Sequence, residues 1–438
     1  MSFTTFQLGG IHPPERKELV AASAIEEMKS PQKVIIPLSQ HIGAPCKASV
    51  EVGQEVKAGQ VIGAPEGFVS AAVHSSIGGK VAAFESVLMP IGRMVPAIVV
   101  ERPANRQDEA WHPAQDDKDY LKRSPDELKS RIKAAGIVGM GGATFPTHVK
   151  ISPPKEKPID AVIINGAECE PYLCADHRVM LESPEPVIEG LKILMTVLGV
   201  SKGYVGIEAN KPDAVERMLE AAKGANIEVR TLQIKYPQGA EKMLIKSILD
   251  REVPAGGLPM DVGVVVQNVG TAYAIYEACR YGKPLIERVV SVTGGGVNNP
   301  KNLRVKVGTP ISQLIESCGG LKSSAGKVIS GGPMMGFAFF DLNTPVTKGT
   351  SGIVVLEDKD ATGNDKYYNC IRCGRCVEAC PMGLMPLMLS LYSEKGHYAD
   401  AKDYKLFDCF ECGSCTYVCP ANRPIVQQIK LAKTQVKP

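Results

Sequence analysis

Residues 370–381 read Cys-Ile-Arg-Cys-Gly-Arg-Cys-Val-Glu-Ala-Cys-Pro, and residues 409–420 read Cys-Phe-Glu-Cys-Gly-Ser-Cys-Thr-Tyr-Val-Cys-Pro. Both runs are C-x2-C-x2-C-x3-C-P, set 39 residues apart, and they hold eight of the 13 cysteines. Three thiolates spaced by two residues wrap one face of an iron–sulfur cube, while the fourth, ahead of proline, points away and ligates the other cluster. The spacing therefore assigns Cys370, Cys373, Cys376 and Cys419 to one [4Fe–4S] cluster, and Cys409, Cys412, Cys415 and Cys380 to a second. Structural zinc usually takes two ligands, a long gap and two more, which is not this pattern.

Between the runs, Leu384, Leu387, Met388 and Leu391 fall on one helical face. That favours a helical two-cluster ferredoxin-type module over residues 358–438 rather than the small βαβ ferredoxin. Such a module passes one electron per cluster and performs no bond chemistry. The other cysteines (Cys46, Cys169, Cys174, Cys279 and Cys318) are scattered and read as plain thiols. The seven histidines show no H-x3-H pair.

Composition bounds the rest. In 438 residues, 44% are hydrophobic and 22% charged, an ordinary globular balance with room for about three domains. Fifty basic against 47 acidic residues leave a net charge of +3, too even for a nucleic-acid ligand. The longest apolar runs, such as Leu191 to Val200, are about half a membrane span. No charged-then-apolar signal segment opens the chain and no lipidation motif is seen, so the expected place is the cytoplasmic side, where disulfides are rare.

Residues 1–29 read as an arm carrying Gly9-Gly10-Ile11-His12-Pro13-Pro14. Residues 30–101 alternate in short Val-, Gly- and Ala-rich runs, such as Val50 to Gly63 and Val69 to Val81, which predict a small barrel or sandwich. The pattern resembles the barrel-sandwich hybrid fold of biotinyl and lipoyl carriers, without their hairpin lysine context, so a structural or docking role is expected. After a polar linker, Ser124-Pro125-Asp126-Glu127 is a capping box opening a helix that Gly136 ends. Strands are expected at Ala161–Ile164, Tyr204–Ile207, Ile227–Thr231 and Val262–Gln267, with Asn210 capping a helix from Pro212 to Ala222. Residues 123–284 thus form an α/β domain with turns available for a nucleotide. Residues 285–357 return to β character around one helix, Ile311 to Cys318, and suggest a β-grasp-like unit.

The loop Gly139-Met140-Gly141-Gly142-Ala143-Thr144-Phe145-Pro146-Thr147 lacks the last glycine of the dinucleotide fingerprint. Small residues still let backbone N–H groups approach a phosphate. Clusters accept electrons singly and a hydride carries two, so a glycine-rich α/β domain joined to clusters implies a flavin between them.

Gly139 to Lys150, GMGGATFPTHVK, resembles the flavin loop of the NADH-oxidising subunit of respiratory complex I. Asn165 to Pro171, NGAECEP, Tyr236 to Lys242, YPQGAEK, and Asn268 to Thr271, NVGT, are similar to that family's further motifs, in the same order. With an N-terminal barrel-sandwich, a β-grasp unit resembling the SLBB domain and two four-cysteine runs, the whole chain resembles the C subunits of Rnf, a membrane complex coupling NADH–ferredoxin electron exchange to ion pumping. The expected architecture is a multidomain α+β chain in that order.

The resemblance implies FMN held by Gly139, Gly141, Gly142 and Ala143, with Phe145 walling the pocket and Lys150 at the flavin or its phosphate. Asn165, Glu168 and Tyr236 would line the ring and ribityl chain, Gly239 would leave room for the ring, and Asn268 and Thr271 would hold the phosphate. Glu170 and Glu241 would face the nicotinamide of NAD(H). Ala167, Ala240 and Gly270 depart from the complex I pattern, leaving a less acidic site. Implied partners are an iron–sulfur subunit and integral membrane subunits of the complex, with ferredoxin reached indirectly and the chain peripheral to the membrane. Two other readings compete: a microcompartment cobalamin reductase of related architecture, and a non-catalytic iron–sulfur conduit that has lost NADH.

Overall fold

The computed structural model describes residues 3–103, 110–361 and 366–437. At its centre lies a parallel sheet in the order Ile227–Leu232, Gly203–Glu208, Ala161–Gly166, Val264–Asn268. Helices cover both faces, so the strands read as nearly continuous apolar runs, with Val162, Ile163, Ile164, Val205, Val264 and Val265 buried. Helix Pro184–Leu198 packs on helix Val269–Tyr281 at Gly190, where a Cβ would stand 2.0 Å from the Ala272 carbonyl oxygen. Connections leave the strand Ala161–Gly166 toward Gly203–Glu208 on one side, while Val264–Asn268 lies on the other. The crevice beyond their carboxyl ends is the switch point at which such sheets take ligands.

The capping box forms as expected: Ser124 Oγ accepts from Glu127 N–H, and the Glu127 carboxylate accepts from Ser124 N–H. The expected cap at Asn210 does not form. Helix Pro212–Ala221 begins after Lys211, and Asn210 instead donates to Glu15 at 2.6 Å.

The N-terminal domain is a four-stranded sheet (Lys33–Pro37, Met94–Glu101, Gly79–Leu88, Glu55–Val56) facing a three-stranded one (Lys47–Ala48, Val61–Ala64, Val73–His74) over Val34, Ile36, Ile62, Val81 and Ile98. The β-grasp unit builds a mixed sheet around helix Ile311–Ser317. One of its edge strands, Ile25–Glu27, comes from the arm and runs parallel to Lys301–Lys306. The arm is woven in elsewhere too: Ile11 pairs with Tyr236, and Gly10 N–H donates to the Ala379 carbonyl at 3.0 Å. Lys348, fully buried, donates to the carbonyls of Ala72 and Gly136 at 2.6 Å each and so ties three domains together.

The C-terminal module is helical. Between the cysteine runs, helix Pro386–Glu394 buries Pro386, Leu389, Ser390 and Ser393, while Leu384 and Leu387 of the expected stripe pack, part-buried, against the same core. Leu387 and Ser390 also line a pocket that the first cysteine set borders. Among the described residues, no helix is long and apolar enough to cross a membrane.

Candidate functional site

Asn165 and Asn268 end neighbouring strands in register, at the two lips of the crevice. Asn165 donates to the Gly239 carbonyl at 2.8 Å and accepts from Ala167 N–H. Asn268 accepts from Gly270 N–H, capping helix Val269–Tyr281, and donates to the Asp176 carboxylate at 2.6 Å. The glycine loop arches over the same place. Gly141, Gly142 and Ala143 are exposed, and Phe145 is half-buried behind them. A Cβ on Gly141 would lie 3.2 Å from the Asn268 side chain, in space the missing side chain leaves free. Lys150 and Glu241 meet at 2.5 Å across the opening, both partly exposed. A cradle without side chains, backed by two amide side chains and a charged pair, fits a flavin phosphate and ring.

Four expected site residues have other engagements. Thr271 is fully buried; its Oγ1 accepts from Met140 N–H at 2.9 Å, bracing the glycine loop rather than facing a phosphate. Glu168, with a left-handed φ of +46°, caps helix Ala175–Glu182 by accepting from Asp176 and His177 N–H. The Glu170 carboxylate accepts from Met334 and Met335 N–H at 3.1 and 2.9 Å, so it fastens the β-grasp unit to the crevice. Tyr236 is buried, and its hydroxyl donates to the Cys412 carbonyl at 2.7 Å.

The cysteines fall into two sets. Cys370, Cys373, Cys376 and Cys419 border one pocket, with Cys373 exposed. Cys380, Cys409, Cys412 and Cys415 are close enough for their charges to act on one another. Burial pushes the Cys409 thiol up to about 11, so cluster binding there must release protons. Each set draws three thiols from one run and one from the other. Four soft sulfur donors in each set suit an iron–sulfur cluster.

The chain matches four families in order: the RnfC barrel sandwich hybrid domain over residues 4–105, the Nuo51 FMN-binding domain over 132–277, the SLBB domain over 289–338 and the 4Fe-4S dicluster domain over 369–423. It is 50% identical, over 98% of its length and 93% of the relative's, to the C subunit of the proton-translocating ferredoxin:NAD(+) oxidoreductase complex of Clostridium ljungdahlii. It is 47% identical, over 98% of its length and 96% of the relative's, to the Na(+)-translocating counterpart of Acetobacterium woodii. The chain belongs to the RnfC family. The matching subunit from the ion-translocating oxidoreductase complex of Rhodobacter capsulatus is 43% identical over 97% of this chain and 82% of that one. Among solved structures, an NAD+-reducing [NiFe]-hydrogenase chain shares the fold, with a TM-score of 0.51 at 17% identity over 74% of this chain and 65% of that one.

This RnfC chain also holds residues that sequence reasoning missed. Arg288, buried on the β-grasp strand Glu287–Thr293, reaches under the glycine loop and donates to the Thr350 carbonyl at 3.2 Å. Its Nη1 would be 3.1 Å from a Cβ at Gly270. Burial lowers its pKa to about 10, partly offset by Asp176. Lys17 and Lys211 bind the loop after the strand Ala161–Gly166. Each takes a backbone carbonyl remote in sequence (Thr350, Glu168 and Ala167), and no local pattern announces those.

Proposed function

We propose that this chain is the electron-input subunit of a membrane-bound, ion-translocating ferredoxin:NAD oxidoreductase, the assembly in which its relatives are named. FMN when bound supplies the conversion between hydride and single electrons. The chain's part is placement. The exposed rim Gly141–Ala143 and the partly exposed Lys150–Glu241 pair are proposed to receive the dinucleotide. Of the two carboxylates expected at the nicotinamide, Glu241 is the one in this pair. Glycine-loop N–H groups, Asn165, Gly239 and Asn268 are proposed to bind the flavin.

The observation that carries the reading is the Tyr236–Cys412 hydrogen bond, which joins the rim of the crevice to the second cysteine set. That set is therefore the first acceptor, and the set with exposed Cys373 hands electrons to another member of the complex. A conduit without NADH has no use for a crevice and a bridge in this relation, and the named relatives favour this reading over a cobalamin reductase. Anaerobic purification should give about eight iron atoms and one FMN per chain, and NADH should bleach flavin and clusters together. Purified chain that lacks flavin, or whose flavin NADH does not reduce, would sink the reading.

A further inference from the structure

The loop Ala167–Leu173 leaves the crevice edge with its carbonyls held from behind by two ammonium groups. Lys17, from the arm, donates to the carbonyls of Glu168 at 2.8 Å, Glu170 at 3.0 Å and Leu173 at 2.6 Å. An ammonium has three donors, so Lys17 has none left for anything else. Lys211, fully buried, donates to the Ala167 carbonyl at 2.6 Å and to Asn210 Oδ1 at 2.8 Å, and pairs with Glu208 at 3.5 Å.

A trans peptide unit points its N–H opposite its carbonyl. With the Ala167 and Glu168 carbonyls drawn back to the lysines, the N–H groups of Glu168 and Cys169 face the other way. Neither N–H has an acceptor among the described residues. The left-handed φ at Glu168 lets successive N–H groups converge, the arrangement that receives anions elsewhere. Gly239, whose own N–H donates to Cys169 Sγ at 3.3 Å, brings no side chain to this place, where a Cβ would lie 3.3 Å from Cys169 Sγ and 3.4 Å from Ala167 Cβ.

We infer that Lys17 and Lys211 are positioning residues: by holding the carbonyls of the Ala167–Leu173 loop they aim the Glu168 and Cys169 N–H groups at an electron-rich acceptor in the crevice. Resting on the flavin reading above, that acceptor is the carbonyl edge of the flavin ring, where negative charge grows on reduction. Oriented donors at such a point favour the reduced ring over the oxidised one. The arm would then tune the flavin without touching it.

Two measurements on the full chain test this. In the wild type, adding FMN to flavin-depleted protein should slow hydrogen exchange in the peptide spanning residues 166–175; no change there overturns the inference. In Lys17→Met, oxidised FMN should bind about tenfold more weakly and reduced FMN about a hundredfold, so the flavin midpoint should fall by about 30 mV, the two-electron equivalent of that tenfold difference. Lys17→Gln keeps two donors without the charge and should fall between; it decides the matter if the Met variant does not fold. Affinity within twofold of wild type at an unchanged midpoint, in whichever variant folds, refutes the inference. Failure of wild-type protein to bind FMN at all refutes the flavin reading instead.

Discussion

The hydroxyl of Tyr236 donates to the backbone carbonyl of Cys412 at 2.7 Å, with both residues buried. One belongs to the crevice rim and the other to the second cysteine set. Around them Ile11 and Ala379 are buried, and Cys169, Met334 and Phe410 pack against them, part-buried, in an apolar seam. Tyr236→Phe keeps the seam's shape and leaves one carbonyl unpaired. It should cost about 1 kcal/mol of stability, retain iron and flavin, and delay cluster bleaching behind flavin reduction in rapid-mixing experiments. Unchanged timing would mean that the bond holds domains together but lies off the electron path.

The crossed cysteine sets give a sharper test. Cys380→Ala should abolish the same paramagnetic signal as Cys409→Ala, although Cys380 belongs to the first run. Cys419→Ala should match Cys370→Ala in the same crossed sense. If each run instead loses its own signal, the ligand sets are uncrossed and the assignment fails.

Glu241 pairs with Lys150 at the opening, part-exposed, so the pair itself adds little stability. Glu241→Ala should leave flavin content and folding intact and raise the KM for NADH about tenfold, equivalent to roughly 1.4 kcal/mol, with kcat nearly unchanged. Steady-state assays with an artificial acceptor separate the two parameters. A fall in kcat alone would place Glu241 in the transfer step rather than in binding.

Much of this was legible in the sequence. The cysteine spacing, the capping box at Ser124 and the four apolar strands report local rules, and local rules survive folding. What sequence concealed was long-range. The rim residues Tyr236 and Glu170 looked like ligand contacts, yet their polar atoms are engaged by Cys412, Met334 and Met335, more than 160 residues away along the chain. The arm looked like an appendage because a strand of three residues, Ile25–Glu27, has no periodicity to read before its partner Lys301–Lys306 is known.

The three-domain junction at Lys348 makes a prediction about acid. His74 is 4% exposed, and its Nδ1 has no partner among the described residues. Burial, reinforced by the Lys348 ammonium, holds its pKa down at about 3 instead of 6.5. Between those values the unfolded chain takes up a proton that the native chain refuses, so stability falls as pH drops below 6.5. By about pH 5 the loss from this residue alone should reach roughly 2 kcal/mol. His74→Leu removes the titrating group and keeps an apolar filling. Its urea midpoint should change less between about pH 7 and about pH 5 than that of the wild type. Equal losses in the two proteins would show that protonated His74 finds accommodation at the junction, and that acid acts elsewhere.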